Sequence, residues 1–153
     1  MFLYKAYQIL KVGGRLLIIV DDGLLNTDTY AFARDFIRNK FYIKAIISLS
    51  DKTFYAYSEK NIKTSILYLE KKKEIIDNDG DIFTELQTEP VFYAHAEKVG
   101  INSKRGKYEN HLPRVAKGYF EFKKAVEDNI SSNEYFNPNN FVFKKKIYQN
   151  KLC

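Results

Sequence analysis

The unbroken aliphatic run Leu16-Leu17-Ile18-Ile19-Val20 lies between the pair Gly13-Gly14 and the acidic turn Asp21-Asp22-Gly23. A short apolar segment bounded in this way reads as a strand covered on both faces, the kind found inside parallel sheets. Its β-branched residues, Ile18, Ile19 and Val20, favour the pleated backbone over a helix. In open α/β sheets the ligand crevice lies beyond the carboxyl ends of such strands. Asp21, Asp22 and Gly23 are therefore a candidate functional turn, although a plain core strand ending in a polar turn has the same pattern.

A chain of 153 residues suits one domain and can bury a sizeable core. No stretch of about 18 apolar residues occurs, so no membrane span is expected. Lys5 and Gln8 interrupt the first apolar residues and no small-residue cleavage site follows, unlike a signal peptide. The only cysteine is Cys153, so no internal disulfide forms and a reducing cytoplasm fits. The formal charge of +6 suits a polyanionic partner, a weak signal because many proteins without a nucleic-acid role are as basic.

Phe2, Leu3, Ala6, Ile9 and Leu10 recur at helical spacing, and Gly13 sits where a left-handed C-cap is wanted. This stripe starts at once, without a capping residue, as though the chain opens inside an element. After the first strand, Asn26 or Thr27 is placed to cap a second helix, with Asp28 in its first turn. Tyr30, Ala33, Phe36 and Ile37 form its inner stripe, and Arg34, Arg38 and Lys40 gather toward its C-terminus. Tyr42 to Leu49 alternates as a second strand, with Ile43, Ala45 and Ile47 on one face and Lys44, Ile46 and Ser48 on the other. A polar, aromatic loop spans Ser50 to Lys63, and Thr64 to Leu69 is a third strand closed by Glu70-Lys71-Lys72-Lys73. This order predicts an α/β layer architecture.

Asp77-Asn78-Asp79-Gly80-Asp81 reads as a turn; its glycine and Thr88 are misplaced for a calcium loop. Val91 to Ala96 reads as a strand carrying His95, a packed or solvated residue rather than a ligand. Gly100 to Asn110 is a basic loop with Lys104, Arg105 and Lys107. Leu112, Val115, Tyr119, Phe122 and Val126 give a last helical stripe, with Pro113 tolerated in its first turn and Gly118 weakening it. From Ser131 onward no period is clear, and Lys144-Lys145-Lys146 is expected to be solvated.

Leu10 to Asn26 resembles the fifth-strand region of adenine-N6 DNA methyltransferases, closest to the modification subunits of type I restriction–modification systems and their single-chain relatives. There the strand is usually followed by Pro-Asp-Gly; here Asp21 replaces the proline, while Asp22 and Gly23 fit. The likeness continues through Ala45 to Leu49, Thr53-Phe54, Lys63 to Leu69, Val91 to Gly100, Asn110 to Pro113 and Glu134 to Pro138. The last lies, in larger relatives, near the junction with a target-recognition region.

The resemblance implies an α/β fold: the distal half of a Rossmann-like S-adenosylmethionine-dependent methyltransferase sheet (strands 5, 6 and 7 with flanking helices) plus a small mixed C-terminal extension. Residues 1–73 would be the partial sheet, 74–130 the extension and 131–153 a tail toward the recognition region. In the family the sheet runs 3-2-1-4-5-7-6, with the seventh strand antiparallel between the fifth and sixth. The family's Asn/Asp-Pro-Pro-Tyr/Phe motif and glycine-rich cofactor turn lie upstream of the matched region. Pro90, Pro113 and Pro138 are isolated, and Asn137-Pro138-Asn139-Asn140 lacks the second proline and the aromatic residue. S-adenosylmethionine is thus implied for the complete enzyme, with none bound by this chain alone and no catalytic residue or metal ligand assigned. Phe54, with Tyr55 and Tyr57 as neighbours, matches the aromatic that stacks on an extruded adenine, while packing into the core is the alternative. Lys52, Lys60 and Lys63 are candidate DNA-backbone contacts. The implied partners are DNA and either the missing first half or a specificity subunit, with self-association through an open sheet edge as the further expectation. A DNA- or protein-binding module that reuses the fold without catalysis is the alternative.

Overall fold

Helix α1 (Phe2–Ile9) leads into strand β1 (Arg15–Asp21) through a tight turn; this computed structural model describes residues 2–102 and 104–130. Short helix α2 (Gly23–Asn26), a 3-10 turn (Asp28–Tyr30) and helix α3 (Ala31–Lys40) precede β2 (Phe41–Leu49). Helix α4 (Tyr55–Ser58) interrupts the next loop before β3 (Thr64–Lys71). There follow a small hairpin of β4 (Glu74–Ile76) and β5 (Ile82–Thr84), then β6 (Phe92–Ala96), a second hairpin of β7 (Val99–Ile101) and β8 (Lys107–Asn110), and helix α5 (Leu112–Ile130). The tail from Ser131, including Glu134 to Pro138 and Lys144 to Lys146, lies outside the described residues.

The main sheet has the order β1-β3-β2-β6. Strand β3 is antiparallel to both β1 and β2, and β6 is parallel to β2. The architecture is thus α/β with a mixed sheet. Phe41, Leu67, Leu69 and Ile37 are buried on one face, where Leu3, Tyr7 and Leu10 of the α1 segment and Phe36 of α3 pack. Tyr7, Phe36 and Phe41 meet edge-on at 5.7–6.3 Å between ring centroids. On the opposite face Tyr119 and Phe122 of α5 cover Phe92, and Tyr119 also meets Tyr68.

Several expectations are corrected. Strand β1 is not covered on both faces: Leu16, Ile18 and Val20 join the core, but Leu17 and Ile19 are 66% and 51% exposed. The reason is topological, because β1 ends the described sheet and pairs only with β3, while α5 packs on β6. In α1, Phe2 and Ile9 point outward and Tyr7 belongs to the inner stripe instead. Gly13 is left-handed (φ 71°) but lies beyond the helix, donating its N–H to Lys71 O at 2.9 Å. Asn26 and Thr27 do not cap α3: the Thr27 hydroxyl donates back to Gly23 O, and α3 begins at Ala31 after an exposed Tyr30.

In β2 a bulge at Lys44 changes the alternation. Ile43 pairs with Leu69 and Ile46 with Leu67, so these two share the core face, while Ala45 and Ile47 turn to the other. The Gln87 side chain satisfies the bulged backbone, accepting from Ile43 N–H at 2.7 Å and donating to Ile43 O at 2.9 Å. The segment read as a basic loop from Gly100 to Asn110 is the β7–β8 hairpin. Lys72, in the run that closes β3, is buried. Its ammonium donates to Arg38 O and Glu85 O at 2.7 and 2.8 Å, joining the last turn of α3 to the segment after β5.

Burial sets a pH dependence. Tyr7 is pushed up to about 12 by burial and then by its hydrogen bond to Glu74; Tyr119 is pushed up to about 12, chiefly by burial. From pH 10 upward the unfolded chain loses these phenolic protons before the folded one does, so stability falls until the folded groups titrate. Burial pushes Lys72 below 10.5, which gives the opposite slope up to that pH and none above it. Urea unfolding between pH 10.5 and 12 is expected to show falling stability, and Tyr119→Phe to flatten the fall. A Tyr119→Phe profile parallel to wild type would refute this origin.

Candidate functional site

The strand directions bring the ends of β1, β2 and β6 and the start of β3 to one rim. This rim carries Asp21 to Gly23, the 50–63 loop and the residues after Ala96. The carboxyl end of parallel strands is where α/β sheets place ligands.

Both aspartates hold the rim together. Asp21 Oδ1 accepts the Gly23 N–H at 2.7 Å, and a Cβ at position 23 would lie 2.7 Å from that same oxygen. Glycine therefore lets the turn close on Asp21. Asp22 accepts the Ser65 hydroxyl at 2.7 Å and donates its own N–H to Lys63 O at 3.0 Å. The end of β1 is thus tied to the start of β3.

Phe54 is half-buried at the entrance to α4, outside the core cluster, with Tyr55 and Tyr57 exposed beside it. Its carbonyl accepts the N–H groups of Tyr57 and Ser58 and the Ser58 hydroxyl. Lys52 and Lys60 are exposed. Lys63 is half-buried, its ammonium donating to Leu49 O at 2.5 Å at the end of β2. The rim thus brings Phe54, Lys52, Lys60, Lys63 and the Asp21–Gly23 turn to one end of the sheet.

Sequence reasoning missed a charged cluster beside them. His95 Nε2 lies 2.9 Å from Glu97, and Glu109 bridges Lys98 and His111 at 2.6 and 3.0 Å. The hydrogen bond from His95 holds the Glu97 carboxyl below its usual range, with Lys63 and His111 adding to the effect. It also missed Arg105, whose Nε donates to Ala56 O at 2.9 Å. The only signals in the sequence were a histidine two residues from a glutamate, twice, and one arginine in a basic stretch. Among the described residues no group of three or more His, Cys, Asp or Glu is arranged to hold a metal.

Thr53 Oγ1 and Thr64 Oγ1 are buried at this rim without a hydrogen-bond partner among the described residues. An unmatched buried hydroxyl costs about 1–3 kcal/mol. Thr64→Val is therefore expected to raise the thermal midpoint by a few degrees in a melting experiment. A lowered midpoint would mean that the hydroxyl is satisfied.

No glycine-rich turn follows a strand among the described residues. The one glycine pair precedes its strand, at the rim opposite the candidate site, and its amides are spent on Lys71 O and Lys11 O. The two strand-end carboxylates are engaged in the turn and with Ser65. No helix of the described residues is long and apolar enough to cross a membrane.

A comparison with curated proteins gives no match. Among solved structures, a candidate class I S-adenosylmethionine-dependent methyltransferase from Listeria monocytogenes aligns with a TM-score of 0.46 at 24% identity. The alignment covers 76% of this chain, which spans 30% of that protein's length. Residues 1–150 match the family model of the N-6 DNA methylases, and the chain belongs to that family.

Proposed function

We propose that this chain contributes the distal sheet of an adenine-N6 DNA methyltransferase of a restriction–modification system and is inactive alone. The exocyclic amine of adenine is a poor nucleophile, and the base must leave the duplex before that amine can be aligned with the methyl donor. In this reading the grip on S-adenosylmethionine and on the amine comes from residues outside this sequence, in a first half of the enzyme. The 50–63 loop supplies part of the wall around the extruded base, and the protein works in the cytoplasm on DNA, alongside a specificity subunit.

The observation that carries this reading is the state of β1. An aliphatic strand with one apolar face exposed and one edge unpaired among the described residues is a surface that another strand and layer would cover. The order β1-β3-β2, with β3 antiparallel between two parallel strands, supports placing these as the family's fifth, seventh and sixth strands.

The test is complementation. The purified chain is mixed with a family polypeptide carrying the glycine-rich turn and the Asn-Pro-Pro-Tyr motif, then assayed with labelled S-adenosylmethionine and adenine-containing DNA. Transfer to adenine N6 is expected only in the mixture, and the chain alone is expected to self-associate in light scattering. Methyl transfer by the chain alone would overturn the proposal.

A further inference from the structure

We propose that Arg105 is a positioning residue that anchors the aromatic loop from Phe54 to Glu59; its functional meaning rests on the base-wall reading above, its anchoring does not. Helix α4 has four residues, far fewer than a helix needs to stand on its own. Tyr57 N–H and Ser58 N–H donate to Phe54 O, Glu59 N–H donates to Tyr55 O, and Glu59 then turns left-handed (φ 55°). The Ala56 carbonyl is taken instead by Arg105, forty-nine positions away in sequence.

The geometry around Arg105 is specific. Its Nε donates to Ala56 O at 2.9 Å in a half-buried setting, and its guanidinium lies 5.3 Å from the Tyr57 ring centroid. One side chain thus grips both the backbone and an aromatic ring of the loop. Arg105 itself is left-handed (φ 61°), a conformation unfavourable for a residue with a Cβ. The turn that imposes it is built by Asn102, whose Oδ1 accepts the N–H groups of Lys104 and Gly106, each at 2.9 Å. Its backbone carbonyl accepts the Arg105 N–H at 3.0 Å. Glycine would suit this backbone better, so a left-handed arginine held here is accounted for by what its side chain reaches. The β7–β8 hairpin then acts as a strap across the rim, and the placement of Phe54 depends on it.

Arg105→Gly tests this in the full chain, because glycine keeps the turn and removes only the grip. Hydrogen exchange at Tyr57, Ser58 and Glu59 is expected to accelerate roughly tenfold or more, with Leu67 and Leu69 in the sheet unchanged. Unchanged loop exchange, or an equal rise in the sheet, would overturn the proposal. Arg105→Lys, which keeps the charge without the planar donor, is expected to restore only part of the protection; full protection would overturn the role of the guanidinium. Single-stranded oligodeoxyadenylate serves as the binding probe. Arg105→Gly and Phe54→Ala are expected to weaken it similarly, and the double variant no more than either. If the loop loosens while neither variant alters binding, the anchor stands and the base-wall reading fails.

Discussion

Phe41→Ala is expected to lower the free energy of unfolding by about 3–5 kcal/mol, the range for emptying a fully buried aromatic site. Phe41 has no exposed surface and is the first residue of β2, immediately after α3. Its ring sits where α1 and α3 meet the sheet, against Tyr7 from α1 and Phe36 from α3. Removing it withdraws the common edge-on partner of both rings and leaves a cavity beside Leu67 and Leu69. Neither helix can slide to fill it, because Lys71 holds Tyr7 O and Leu10 O of the α1 segment, and Lys72 holds Arg38 O of α3. Against a typical total of about 5–15 kcal/mol, such a loss approaches unfolding. Equilibrium urea unfolding measures it, and a loss under about 1.5 kcal/mol would show that the two helices collapse onto the site after all.

The same locality explains what the sequence disclosed. The helical stripe Leu112, Val115, Tyr119, Phe122 and Val126 and the strand Thr64 to Leu69 depend on neighbours within a few positions, and both elements lie where the periodicity puts them. The left-handed turn at Gly13 was legible for the same reason. What depended on distant partners was not. The bulge at Lys44 is satisfied by Gln87, and no pattern inside Tyr42 to Leu49 announces a side chain over forty residues away. Nothing in the run Glu70-Lys71-Lys72-Lys73 marks Lys72 as the lysine that carbonyls from two separate segments hold in a buried position. An aliphatic run likewise reports that a strand is apolar on both faces, not which layers of this chain cover it. At the rim, the family resemblance singled out Phe54 and residue type the lysines beside it, while Arg105 becomes informative only once the β7–β8 hairpin brings it to Ala56.

In the reassembled enzyme, Phe54→Ala is expected to weaken binding of DNA with an extruded adenine by about 1–3 kcal/mol, the worth of one stacked base. That is roughly a 5- to 150-fold rise in Kd. Phe54 is half-buried at the start of α4, outside the core cluster and beside the exposed Tyr55 and Tyr57. Phe54→Tyr keeps the ring and is expected to retain most of the affinity. The competing role, packing against the strand ends, predicts a lower thermal midpoint with equal losses for DNA carrying adenine or an abasic site at the target position. Stacking predicts instead that the abasic DNA loses nothing. Lys52→Ala and Lys60→Ala provide the contrast: exposed cations that meet phosphates weaken binding to every sequence alike, each lowering the salt dependence by about one ion. Adenine-dependent losses at the lysines, or adenine-independent losses at Phe54, would reverse the assignment of base wall and backbone contact.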